Sequence, residues 1–152
     1  MRRWFALLAV CGLASCGGDA NRLYGSVSQI YKLDFDRVQI FRQSGEVSIE
    51  YQRLSGGSVS AKVAKLTVEV GDLANIAGND VDLTELVGGL PRGTMQRVES
   101  VTTTDFPLKV GTVHFNQEPT PGTELSGNFH TMLSDPDGRT LNGDFQAKVE
   151  AQ

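Results

Sequence analysis

The sequence predicts an all-β chain, a single antiparallel β-sandwich or small β-barrel of about eight or nine strands in meander-like order. Three observations carry this expectation. Apolar and polar residues alternate with period two, as in Val47-Ser48-Ile49-Glu50-Tyr51. These runs are rich in Val, Ile and Thr and are broken by Gly clusters. Two C-terminal segments, Leu125-Ser126-Gly127-Asn128-Phe129 and Leu141-Asn142-Gly143-Asp144-Phe145, share one spacing on either side of a turn sequence, Asp135-Pro136-Asp137-Gly138.

The elements follow in order. A first strand is expected near 24–34. Val38 and Ile40 alternate with polar neighbours, and a two-residue Ser44-Gly45 turn would pair Ile40 with Ile49 and Val38 with Tyr51. Val59, Ala61 and Val63 share one parity, whereas Leu66, Val68 and Val70 share the other. A strand over 58–70 therefore needs a β-bulge near Ala64-Lys65. Further strands are expected near 95–103 and 109–116. In the C-terminal hairpin, 125–134 with 140–149, Pro136 sets the first corner and Gly138 supplies the positive φ of a three-residue turn with a G1 bulge. That register places Leu133 opposite Leu141, Phe129 opposite Phe145, Leu125 opposite Val149 and His130 opposite Asp144. The outer face of this hairpin is polar (Asn128, His130, Asn142, Asp144, Gln146), unlike a barrel that sits in lipid.

Between Gly71 and Gly93 the alternation lapses. Asp72 to Ala77 reads as one helical turn capped by Asp72. Val81 and Leu83 read as a short edge strand. Leu86-Val87-Gly88-Gly89-Leu90-Pro91 reads as an apolar loop too rich in Gly and Pro for a regular element. Leu86, Val87, Leu90 and Met95 are the candidate partner-binding residues, either as an exposed patch or as a lid folded onto the core. Gly127, Thr131, Gly143 and Ala147 flank Phe129 and Phe145 and fit either sheet curvature or a narrow apolar pocket.

The N-terminus carries the strongest motif. Arg2 and Arg3 precede an apolar run from Trp4 to Leu13, shorter than the roughly 20 residues a spanning helix needs. This is the pattern of a secretory signal. It closes on Leu13-Ala14-Ser15-Cys16, which resembles the lipobox of bacterial lipoproteins. The resemblance covers residues 1–16. It implies cleavage between Ser15 and Cys16 and acylation of Cys16, whose two or more chains suffice for stable anchoring. Gly17 and Gly18 follow, and the missing Asp directly after the cysteine points to the outer membrane of a Gram-negative cell. The expected organisation is a signal peptide over 1–15, a lipidated tether over 16–22 and an antiparallel β domain over 23–152.

Composition narrows the function. The chain has 14 basic and 18 acidic residues; without Arg2 and Arg3 the count is 12 against 18, a net charge of −6. No basic stretch suits nucleic acid. Cys11 leaves with the signal and Cys16 takes lipid, so the domain has no disulfide and depends on its core. The two histidines, His114 and His130, lie on strands, and no Gly-x-Ser-x-Gly elbow occurs. Asp34/Asp36, Asp80/Asp82 and Asp135/Asp137 each offer two oxygens where calcium takes six to eight ligands. No cofactor or metal is expected. The reading is a lipid-anchored envelope lipoprotein with a non-catalytic β-domain, attached to the membrane through Cys16 and binding a protein, glycan or lipid. The alternatives are a lipocalin-like carrier of a small apolar ligand, or an envelope hydrolase using His130 and Asp144.

Overall fold

The structure is a computed structural model and describes residues 20–152. The signal peptide, the Leu13-Ala14-Ser15-Cys16 motif and Cys16 itself lie outside the described residues. Twelve strands run through the described residues: β1 Arg22–Tyr24, β2 Arg37–Gln43, β3 Glu46–Ser55, β4 Ser58–Glu69, β5 Asp80–Asp82, β6 Leu86–Val87, β7 Leu90–Pro91, β8 Gly93–Glu99, β9 Thr102–Asp105, β10 Leu108–Phe115, β11 Glu124–Leu133 and β12 Thr140–Ala151. The fold is all-β and sandwich-like rather than a closed barrel. Ten strands form one large sheet in the order β5-β10-β11-β12-β2-β3-β4-β8-β9, with β1 also on β12, while β6 and β7 form a separate ribbon.

The period-two pattern decides which side chains enter the core. Val47, Ile49 and Tyr51 of β3 are buried, as are Leu125, Phe129 and Leu133 of β11 and Leu141, Phe145 and Val149 of β12. The two layers meet through aromatic rings. Tyr51 lies edge-on to Phe129 with centroids 6.1 Å apart, and its hydroxyl donates to the Asp144 carbonyl at 2.8 Å. Phe115 and Phe145 pack at 5.9 Å. Burial, and then the Asp144 carboxylate, push the Tyr51 hydroxyl pKa well above the ordinary tyrosine value.

The sheet is mixed at one ladder. β12 is twelve residues long. Its first half carries β1 antiparallel, from Tyr24 opposite Asn142 to Arg22 opposite Asp144. Its last residues carry β2 in parallel, Val149 opposite Ile40 and Ala151 opposite Arg42. A single strand thus passes from one layer to the other, and the purely antiparallel expectation fails at this ladder. Across the open seam, Leu83 is the connector: its N–H donates to the Gly111 carbonyl at 2.9 Å and its carbonyl accepts from the Gly93 N–H at 2.8 Å.

The β2–β3 hairpin has the expected register, with Ile40 opposite Ile49 and Val38 opposite Tyr51 about the Ser44-Gly45 turn. The β4 bulge is also where the parity change requires it, since pairing with β3 and β8 slips between Lys62 and Lys65. The C-terminal hairpin keeps its parity but is shifted by two residues. Phe129 faces Gly143 and Gly127 faces Phe145, so each ring covers a glycine. The turn is wider than expected because the Asp135 carboxylate accepts the Arg139 N–H at 2.8 Å and the Pro107 carbonyl accepts the Ser134 N–H at 2.7 Å. His130 therefore lies opposite Asn142, and Asp144 lies opposite Asn128.

Other expectations are corrected by packing. The 24–34 stretch is strand only as far as Tyr24. Gly25 turns the chain at φ 140° against Thr140, a 3-10 turn spans Ser26–Gln29, and the residues beyond it plug one end of the fold. There Val27 is buried, Tyr31 meets Phe106 at 5.7 Å, and Phe35 meets Tyr51 edge-on at 5.0 Å. The 95–103 stretch is the β8–β9 hairpin, turned at Ser100 with φ 52°.

Within the layer of β2, β3, β4 and β8, the Ser44-Gly45 turn, the end of β4, the start of β8 and the C-terminus lie at one end, and the β3–β4 and β8–β9 turns at the other. The β11–β12 turn of the other layer lies beside the Phe106-Pro107 link that follows β9, since the Pro107 carbonyl accepts the Ser134 N–H and the Met95 carbonyl accepts the Phe106 N–H. Because β1 runs antiparallel to β12, the chain before it leads towards the C-terminal half of β12. Asn21 fixes that course: its carboxamide accepts the Gln146 N–H at 2.6 Å and donates to the Gln146 carbonyl at 3.2 Å.

Candidate functional site: the 86–91 ribbon and the adjoining cleft

The segment between β4 and β8 is organised by one cation. Arg92 is the only basic residue between Lys65 and Arg97, in a stretch that contains Glu69, Asp72, Asp80, Asp82 and Glu85. Its side chain is 2% exposed. The guanidinium donates to both Asp72 carboxylate oxygens at 2.6 and 2.9 Å, to Glu85 at 3.0 Å and to the Glu69 carbonyl at 2.9 Å. A buried planar cation is stable there because nearly every donor has an acceptor. The bond from Arg92 holds the Asp72 carboxyl below the usual carboxylate range, and Asp72 in turn raises the arginine further. Asp72 caps no helical turn; its carboxylate is committed to Arg92.

On this base stands a two-strand ribbon. The Arg92 N–H donates to the Glu85 carbonyl at 2.7 Å, and β6 and β7 pair with Leu86 opposite Pro91 and Val87 opposite Leu90. Gly88 and Gly89 make the turn with φ 59° and 86°, a conformation glycine adopts without Cβ strain. The glycines that argued against a regular element are what allow this one. Leu86 is 67% and Leu90 71% exposed, on opposite faces of the ribbon, and Val87 is half-buried. Met95 is separate from this patch: it is buried in the core beside Leu66. The sequence-derived set thus divides into an exposed ribbon and a core residue.

A cleft of about 460 Å³ adjoins the ribbon, lined by Pro91, Met95, Phe106, Pro107 and Leu108 among others, and it follows the open seam between β8 and β10. A second cleft, of about 500 Å³, is more polar and includes Asn79, Asp80, Asp82 and Glu85. Its oxygens are engaged: Asp80 meets His114 Nδ1 at 2.8 Å, and one Asp82 oxygen takes both the N–H and the hydroxyl of Thr84. Those Thr84 bonds hold the Asp82 carboxyl below its usual range. Among the described residues no three His, Cys, Asp or Glu side chains converge as a metal site. The interior between the layers is occupied by Tyr51, Phe115, Phe129 and Phe145.

The histidines lie apart. His130 is exposed on the outer face of β11, and Arg22 engages Asp144 with Nε at 2.7 Å. Asp34 accepts through its main-chain carbonyl from Arg53, and Asp36 accepts the Leu54 N–H at 2.7 Å. The Asp36 carboxylate thus ties down a strand end. Two buried clusters carry no clear signal in the pattern of the sequence. Glu50, on the outward parity of β3, is covered by Lys62 at 2.6 Å and Gln52 at 2.7 Å. Arg97 stacks on Tyr31 at 5.0 Å and pairs with Glu99. The Arg92 hub did have a signal, a lone cation in an acidic stretch. Comparison with protein-family models, curated proteins and solved structures finds no match to this chain.

Proposed function

We propose that this protein is a lipid-anchored component of the bacterial cell envelope, held in the outer membrane by acylated Cys16, whose non-catalytic β-domain makes an apolar contact through the 86–91 ribbon. The observation that carries the binding role is the pair Leu86 and Leu90, both largely exposed on a ribbon fixed at its base by Arg92. Apolar side chains held rigidly in water mark a contact surface, since ordering them stabilises nothing unless a partner covers them. The anchor rests on Leu13-Ala14-Ser15-Cys16 and on the charged and apolar stretches before it. The non-catalytic reading is supported by the separate settings of His114, bonded to Asp80, and of His130, on an open sheet face.

Cys16→Ala tests the anchor. The wild-type protein is expected in the membrane fraction with acyl mass on its first residue, and the variant in the soluble fraction. A variant that stays in the membrane with the wild-type mass overturns the assignment.

A further inference from the structure

We infer that the plugged end of the fold carries a binding site for a small hydroxy acid, whose carboxylate takes the place that the Glu99 carboxylate holds on Arg97. The site is separate from the membrane anchor and from the 86–91 ribbon and depends on neither.

Three observations lead here. First, Arg97 is a buried cation that the described residues leave incompletely satisfied. Its side chain is 5% exposed. Nη1 donates to the Lys32 and Val63 carbonyls at 3.2 and 3.3 Å, and Nη2 pairs with Glu99. Nε is buried and, among the described residues, has no partner. A buried polar group in that state calls for an explanation. Arg92, whose fork meets two carboxylates, shows the alternative within the same fold. Second, the position of an anion is already marked. Arg97 Nη2 and Arg53 Nη1, the latter at 3.7 Å, converge on one Glu99 oxygen, so two guanidinium groups share one carboxylate. Glu99 is replaceable there. Its side chain is 49% exposed, and it is the last residue of β8, before a turn in which Ser100 holds a φ of 52°. A positive φ away from glycine is costly and is typical of ligand clamps and switch regions. Third, a cavity of about 200 Å³ opens on the pair, lined by Tyr31, Arg97, Glu99, Thr102 and Thr104.

The lining selects the ligand. Arg97 lies opposite Thr104 and Glu99 opposite Thr102, which puts all four side chains on one face of the β8–β9 hairpin. A guanidinium takes a carboxylate through charge-assisted N–H···O bonds, and this one holds a carboxylate already. The two threonine hydroxyls can each donate to or accept from a ligand hydroxyl. Tyr31 forms the wall, stacked with Arg97 at 5.0 Å and packed on Phe106 at 5.7 Å. At roughly 30 Å³ for each water-sized group, the cavity has room for a molecule of about six heavy atoms, the size of lactate. Glu99 is then an internal competitor. It covers Arg97 in the free protein, and the apparent affinity for the acid is reduced by the fraction of molecules in which it does so.

Equilibrium dialysis of the detergent-solubilised protein against radiolabelled lactate tests this, with lactamide, its neutral amide, as competitor. Glu99→Gln removes the competing charge, and the double variant Thr102→Val/Thr104→Val removes the two hydroxyls at nearly constant shape. Circular dichroism checks the folding of both. Lactate is expected to bind the wild type saturably and Glu99→Gln about tenfold more tightly, because the internal competitor is gone. The double variant is expected to bind several-fold more weakly, and lactamide is expected to displace nothing. Absence of saturable binding to the wild type, equal affinity in wild type and Glu99→Gln, full affinity in the double variant, or displacement by lactamide overturns the inference. Binding by Glu99→Gln alone also overturns it, because Glu99 then simply completes the fold. The wild-type and lactamide arms decide the question even where a variant does not fold.

Discussion

At Gly143 there is no room for a methyl group. A Cβ built there would lie 2.5 Å from the Tyr51 hydroxyl and 2.6 Å from the Phe129 ring. At Gly127 it would lie 2.0 Å from the His114 carbonyl and 2.6 Å from Phe145. These two glycines hold the ring-over-glycine packing, so the small residues flanking Phe129 and Phe145 serve tight closure of the core. Gly143→Ala is expected to lower stability by about 3 kcal/mol, since overpacking a core with no free volume forces rings off their rotamers or the layers apart. Gly56→Ala is the comparison: nothing lies within 4 Å of its Cβ position, and its φ of 58° leaves a strain cost of about 1 kcal/mol. Urea unfolding of the two variants measures the difference.

At the scale of elements, the 71–93 segment depends on Arg92. Its contacts run to Asp72, Glu85 and the Glu69 carbonyl, so the guanidinium ties the end of β4 to the base of the ribbon. Arg92→Ala is expected to cost about 2 kcal/mol, the scale of losing charge-assisted hydrogen bonds from a buried cation. The loss should be local. Amide exchange should rise across residues 72–92 while β2, β3 and β4 keep their protection, because those strands pair with one another independently of Arg92. Uniform acceleration throughout the chain would contradict a local role.

For the whole molecule, acid stability follows from three carboxylates. Asp135 is held below its usual range by the Arg139 N–H and then by the Arg139 side chain, Asp82 by Thr84, and Asp72 by Arg92. Each folded pKa lies below its unfolded value, so each contributes stability at neutral pH. That contribution is lost as pH falls below about 4 and through the folded values. The urea midpoint is expected to be flat from neutrality to about pH 5 and then to fall; a midpoint that rose on acidification would refute the linkage. At the same scale, the single core must hold the domain without a disulfide, in accord with its continuous apolar cluster from Val27 to Val149.

Local chemistry in the sequence was enough for the all-β class, the β2–β3 register and the bulge in β4. Period two, a two-residue turn and a parity change each act over a few residues, and each leaves one solution that buries the apolar face. Where distant groups compete, the tertiary structure decided. Asp135 and Pro107 widened the last turn and moved the C-terminal register by two, which separated His130 from Asp144. The plug formed by residues 26–36 depends on an open end that no stretch of the chain announces. The pairing of β12 with both β1 and β2 joins segments more than a hundred residues apart. Alternation specifies which face of a strand is buried, but the neighbour of each strand is selected by how the whole core closes.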